Sequence, residues 1–191
     1  MTGEAVARFA IDNSIPIPFT TQSAPTDEPP SGQSASAMFA LRRMLKPGQK
    51  STVPGKHAGL GMDLYVQCTS PLRRYLDLVV HQQLRAFLRG DDPLDSQQIL
   101  ALIGESDEVI RDVRRVERLS NRHWTAVYLL QHPGWQGDGI VIEKHGRRHL
   151  VLLPQLGLET SVYQRQELEL DSQIELQLRE VDLVNLEPSF H

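Results

Sequence analysis

The sequence predicts an α+β fold: a mainly helical segment followed by a small five-stranded β-barrel. Three observations predict it. Apolar residues recur at the helical period along most of the stretch from Thr2 to Leu130. Beyond Pro133 that period gives way to short alternating runs separated by turn residues. The charge balance shifts at the same place, since residues 1–133 hold 15 Lys and Arg against 14 Asp and Glu, whereas 134–191 hold 5 against 10. A polyanionic partner is therefore expected to meet the first part. The change of period puts a domain boundary within Gln131–Trp135, which gives domains of 1–132 and 133–191.

Ala5, Val6, Phe9 and Ala10 share one face of a helix from Thr2 to Ile11, which "IPIP" at 15–18 ends. "TTQSAPTDEPPSGQSAS", Thr20–Ser36, is rich in Ser, Thr, Pro and Gly, so an exposed and mobile loop is expected. Met38, Leu41 and Leu45 mark a second helical face that stops at "KPG", Lys46–Gly48. The glycines of "VPGKHAGLGMDLYVQCTSP" suggest close backbone approaches around a short strand near Leu64–Gln67. After Pro71, the spacing of Leu72, Leu76, Val79, Val80, Leu84, Phe87 and Leu88 predicts a helix that "RGDDP" closes. Asp95–Gly104 reads as a shorter helix. From Ser106 a long one carries Val109, Val113, Val116, Leu119, Val127 and Leu130 as far as "HPG". At about 1.5 Å per residue it should span roughly 39 Å. In the barrel, "GDGIVIEKHGRRHLVLL" predicts two strands about a turn at His145–Arg147, with further strands near Leu158–Val162, Ile174–Glu180 and Leu183–Leu186. Such a set suits a closed barrel, and the oligonucleotide-binding fold is the leading candidate.

Composition excludes several classes. Hydrophobic residues make up 40% and charged residues 23% of the 191, as in ordinary globular domains. No run approaches the roughly 18 to 20 apolar residues that a membrane-crossing helix needs, and the N-terminus has no signal-peptide pattern, so no membrane partner and a cytoplasmic location are expected. Cys68 is the single cysteine; set among apolar neighbours, it reads as a small core residue.

"YVQCTSPLRRYLDLVVHQQL", Tyr65–Leu84, carries the clearest chemistry. Ser70 and Pro71 together form a helix-start signal, since serine caps free amides and proline fits the first turn. A helix N-terminus attracts anions, and a guanidinium beside it completes a phosphate site. Arg73 and Arg74 sit there against the preference of the dipole, and such a local violation often marks function. The plainer reading is an ion pair between Arg73 and Asp77, one turn on.

The run "HAGLGMDLYVQCTSPLRRYLDLVVHQQL", His57–Leu84, resembles the signature of the RNB catalytic domain of ribonuclease II and ribonuclease R, and "MTGEAVARFAIDNSIPIPF" resembles a stretch well after that domain's acidic metal site. The resemblance implies the mainly helical C-terminal half of an RNB catalytic domain, followed by an OB-type RNA-binding barrel. It implies a processive 3′-to-5′ exoribonuclease that hydrolyses single-stranded RNA with magnesium. It also implies that Arg73 contacts the phosphate at the scissile bond, with Arg74 supporting the helix entrance, Tyr65 packing or touching RNA, and His57 shaping the site. Family members hold their metal on clustered aspartates in the first half of the domain. No such cluster occurs here, because Asp91 and Asp92 lie in a helix-ending loop. The upstream half of the RNB domain is therefore an expected partner that would supply the magnesium ligands, and this chain alone is expected to be inactive. A non-catalytic RNA-binding or interaction protein of the same descent is the alternative.

Further candidates lie on the long helix. Arg111, Arg115, Arg118 and Arg122 form a basic stripe that suits RNA phosphates or a solvated face laced with Asp107, Asp112 and Glu117. Glu117 is the best positional match to a family glutamate near the catalytic centre. Trp124 and Tyr128, one turn apart, read as core packing in preference to base stacking. His145 and His149 are separated by the expected hairpin turn, which argues against a zinc site. In the barrel, Arg147 and Arg148 are the best phosphate contacts, though its excess of acid leaves open whether it grips RNA or covers another domain.

Overall fold

The computed structural model describes residues 2–28 and 30–191; Met1 and Pro29, the latter inside the expected 20–36 loop, lie outside the described residues. The chain divides into two compact units. One comprises residues up to Asp27 together with Leu45–Val113, the other Glu28–Met44 with Arg114–His191.

The first unit contains α1 (Thr2–Asp12) and α3 (Tyr75–Arg89) as its packed helices, the short antiparallel pair β1 (Phe19–Thr21) and β2 (Gln49–Ser51), and the opening part of α4 (Ser96–Gln131). The second helix in chain order, α2 (Ala35–Met44), belongs to the other unit. Ala7, Ala10, Ile15, Ile17, Phe19, Val66, Cys68 and Val80 form one buried cluster, and Leu76, Val79, Ile99 and Ile103 form a second. Helix α1 approaches the 65–66 backbone so closely that a Cβ on Gly3 would lie 2.5 Å from the Val66 carbonyl oxygen, which only glycine permits. The buried Gln83 carboxamide donates to the Pro16 and Leu94 carbonyls and accepts from the Leu94 amide, tying three segments together.

Helix α4 starts with a reciprocal cap, in which the Asp95 carboxylate accepts from the Gln98 amide and the Gln98 side chain accepts from the Asp95 amide. The two helices expected on either side of Glu105 are one continuous helix of 36 residues. Gly104 faces open space and costs its helix only about 1 kcal/mol relative to alanine, so the interruption read from it does not occur.

In the second unit, β3 (Gln136–His145), β4 (Arg148–Leu153), β5 (Leu158–Tyr163), β6 (Gln173–Asp182) and β7 (Glu187–Phe190) pair antiparallel in the order β5-β4-β3-β6-β7. Strands β5 and β7 also approach each other, so the sheet curls into a nearly closed barrel as expected for the oligonucleotide-binding fold. Bulges between Val141 and Glu143 and between Leu178 and Glu180 assist the curl. Leu129 of α4, Val141, Val151, Leu153, Val162, Leu176, Leu178 and Phe190 fill its interior. The expected hairpin turn is present, with Gly146 at φ 60°. The last strand lies four residues beyond the expected 183–186, because the Asp182 carboxylate accepts from the amides of Val184 and Asn185 and spends that segment on a turn.

Helix α2 lies on this barrel. At its N-terminus the Asp171 carboxylate accepts from the Ser36 amide at 2.8 Å and the Ser36 hydroxyl at 2.6 Å. Arg42 pairs with Glu159 at 2.6 Å and Arg43 pairs with Glu143.

Candidate functional site

The short strand expected near Leu64–Gln67 is a single bridge from Val66 to Phe19. The segment that follows it rises to the entrance of α3. That entrance begins later than Ser70 and Pro71 predict, for residues 71–74 form a turn in which the Ser70 carbonyl accepts from the amides of Arg73 and Arg74 at 3.2 and 3.0 Å. Arg74 is the cap, with extended backbone at φ −123° and ψ 109°, and no side chain caps the helix. The Ser70 hydroxyl instead stands within 3.4 Å of an Arg73 guanidinium nitrogen.

Asp77 organises the turn. Its carboxylate is 1% exposed, and one oxygen accepts from the Ser70 amide at 2.8 Å and from two nitrogens of Arg74 at 3.0 and 2.7 Å. Arg74 also donates to the Thr69 hydroxyl at 3.2 Å. The ion pair expected of Arg73 therefore belongs to Arg74, because the turn swings Arg73 outward and aims Arg74 at the buried acid. Arg73 is exposed, and its guanidinium has only the long contact to Ser70. A fixed backbone thus carries a free cation next to a helix start.

Burial pushes the nearby Cys68 thiol up from its usual range, and the Asp77 carboxylate adds to that effect. Tyr65 is half-buried, with its ring edge-on to His57 at 5.5 Å. His57 exchanges backbone bonds with Met62 and borders an open pocket shared with Gln22 and Lys56; its buried Nδ1 has no hydrogen-bond partner.

The helix α4 residues are placed separately. Arg111 lies in the first unit, and Arg115, Glu117, Arg118 and Arg122 lie in the second, all exposed. The side chains of Arg111, Arg115 and Arg118 have no polar partner among the described residues, so the expected lacing by neighbouring acids is not formed there. Arg122 donates to the Leu186 carbonyl at 3.3 Å and stands 3.7 Å from Glu187. Arg147 is exposed in the hairpin turn, while Arg148 donates two bonds to the Ser161 hydroxyl at 3.1 and 2.9 Å. Arg122, Arg148 and Ser161 line one cavity of about 440 Å³ on the barrel.

Trp124 and Tyr128 are not core residues, being 65% and 43% exposed. The buried face of this part of α4 consists of Ala126 and Leu129, and Trp124 lies about 160° round the helix from Ala126. Both aromatics border a groove of about 690 Å³ with Asn121 and Gln155, two residues that no sequence pattern singles out. The sequence shows only that Trp124 and Tyr128 share one face, one helical turn apart, and periodicity does not say whether that face is covered.

Comparison with known proteins adds the rest. Residues 27–90 match the RNB domain, and residues 135–191 match the RNase II-type exonuclease C-terminal S1 domain. The chain is 34% identical over 170 residues to an uncharacterized ribonuclease of Synechocystis, covering 83% of this chain and 25% of that protein. It is 28% identical over 191 residues to the chloroplastic/mitochondrial ribonuclease II of Arabidopsis thaliana, covering 94% of this chain and 24% of that one. It thus spans about a quarter of the length of these curated relatives. Mycoplasma genitalium RNase R, solved in complex with ribose methylated single-stranded RNA, shares the fold at a TM-score of 0.74 and 17% identity, over 98% of this chain and 39% of that one.

Proposed function

Because the chain belongs to the RNB family and carries an RNase II-type S1 domain, we propose that it serves a cytoplasmic 3′-to-5′ exoribonuclease as the part that receives single-stranded RNA, with Arg73 holding the phosphate at the scissile bond. The observation that carries this reading is the division of labour between adjacent arginines. Arg74 is consumed by Asp77 and Thr69, whereas Arg73 keeps its charge available on a backbone that the same network fixes. A guanidinium so placed can form paired bonds to phosphate oxygens and oppose the negative charge that develops as the ester is cleaved, with little reorganisation of the protein. The exposed Arg115, Arg118, Arg147 and Arg148 suit contacts to the backbone of the strand, and Glu117 is a second candidate catalytic residue by its family position.

Magnesium is part of this proposal, and it supplies charge and an activated water to phosphoryl hydrolysis when bound. This chain does not fit it: among the described residues no three His, Cys, Asp or Glu side chains form a metal-binding group. In this reading its ligands come from the upstream half of the domain, the proposed partner. No helix of the described residues is long and apolar enough to cross a membrane.

The decisive experiment is Arg73→Ala in the complete protein, with single-turnover cleavage and binding of a single-stranded RNA measured side by side. Turnover should fall on the order of 10²-fold to 10³-fold while affinity stays close to the unmodified value. Unchanged turnover would remove the assigned role. Processive shortening of RNA by the isolated 191-residue chain would equally overturn the division of the active site.

A further inference from the structure

We infer that the groove between the last turns of α4 and the β4–β5 loop is a nucleobase subsite for single-stranded RNA, with Trp124 as its stacking platform. The inference rests on the RNA reading above and adds a place and a chemistry to it. Trp124 presents a large aromatic surface to solvent on the side of α4 turned away from Ala126 and Leu129. Tyr128, one turn further, already has one ring face covered by His132, stacked at 4.2 Å and held by a bond from its ring to the Tyr128 carbonyl. Trp124 meets His123 at a steep 77° and has no ring stacked parallel on it among the described residues, so it is the aromatic with room for a flat partner.

The rest of the groove suits a base. Its volume of about 690 Å³ lies in the range of small-molecule sites. The Asn121 and Gln155 carboxamides and the Trp124 indole N–H have no hydrogen-bond partners among the described residues, and both amides can donate and accept along a base edge. Gly157, at φ 58°, leaves the opposite rim without a side chain.

A second observation supplies the phosphate. Arg122 and Leu158 line both this groove and the neighbouring cavity that contains Arg148 and Ser161, so a base on Trp124 would leave its backbone beside two guanidinium groups. Glu187 screens part of that charge at 3.7 Å from Arg122. No acidic residue lines the aromatic groove itself. Rings, amides and cations in that order match a single strand better than they match an apolar peptide, which could bond the amides through its backbone but has no anion for the arginines.

The test uses the 191-residue chain, a short fluorescein-labelled oligoadenylate, and an abasic strand of the same length, with binding read by fluorescence anisotropy. Oligoadenylate should bind about tenfold tighter than the abasic strand, Trp124→Ala should abolish that difference, and Trp124→Phe should restore most of it. The thermal midpoint should be the same in all three proteins, since the indole is exposed. If the unmodified chain binds oligoadenylate and Trp124→Ala does so equally well, the subsite is wrong and the RNA reading stands; the groove then belongs to a protein segment. If the unmodified chain binds neither strand, the subsite falls together with its RNA partner.

Discussion

The entrance of α3 and the groove beside α4 treat their polar groups in opposite ways. At the entrance most groups are tied to one another, since one carboxylate oxygen of Asp77 collects the Ser70 amide and two Arg74 nitrogens; the other, buried oxygen has no partner among the described residues, and Arg73 is left exposed with only its long contact to Ser70. Beside α4 the amides of Asn121 and Gln155 and the indole of Trp124 all remain open. The difference teaches how each surface can be used. A turn anchored on one buried carboxylate fixes the position of the exposed cation beside it, which suits a single phosphate that must be held in register. A set of open groups accepts many partners, which suits successive bases of any sequence.

The contrast can be broken most severely at Asp77. Asp77→Ala leaves the Ser70 amide without its acceptor and the Arg74 guanidinium without its ion pair, so stability should fall by about 3 kcal/mol, measured as a lower urea midpoint with unchanged slope. A midpoint near that of the unmodified chain would mean the network does not hold the turn.

A smaller effect is expected where α2 meets the barrel. The Ser36 hydroxyl, and after it the Ser36 amide, hold the Asp171 carboxyl below the ordinary carboxylate range. Its folded pKa is thus lower than its unfolded one. The stability it contributes is complete above the ordinary value of about 3.9 and is lost as pH falls through the folded value. Asp171→Asn should therefore flatten the acid limb of a stability–pH profile, and an unaltered limb would place the acid sensitivity elsewhere.

The smallest effect sharpens the other side of the comparison. Asn121→Ala, in an exposed and unpaired position, should change stability by no more than about 0.5 kcal/mol, a value checked by thermal melting. A larger loss would show that the groove is part of the fold's own support.

How much of this was legible in the sequence depended on whether the signal was local. The change of period at Pro133 and the Gly146 hairpin are short-range features from which the barrel follows, and the helix start at Asp95 was legible although its reciprocal cap with Gln98 came only with the structure. The Thr-Ser-Pro-x-Arg-Arg-Tyr stretch marks the segment that the buried Asp77 organises. It could not assign the partners, since a Ser-Pro start and an Arg73–Asp77 pair are what sequence spacing favours, and the buried acid chose otherwise. Trp124 was misread for a related reason. Periodicity reports that a helix has an apolar side, but Val109, Val113, Val116 and Trp124 are all more than half exposed, and only tertiary contact decides which apolar residues are covered. The Asp182–Asn185 turn displaced the last strand by the same logic, side-chain acceptance overriding a run of Leu and Val.

Cys68 lends the α3 entrance a property unrelated to RNA. The only thiol in the sequence is buried there, kept protonated by its surroundings, with its carbonyl bonded to His81 at 2.7 Å. Alkylating reagents need the thiolate and access to it, so labelling is suppressed for as long as the entrance stays shut. The protein thus carries a built-in chemical clock for local opening, whose rate of modification reports how often this corner of the fold comes apart.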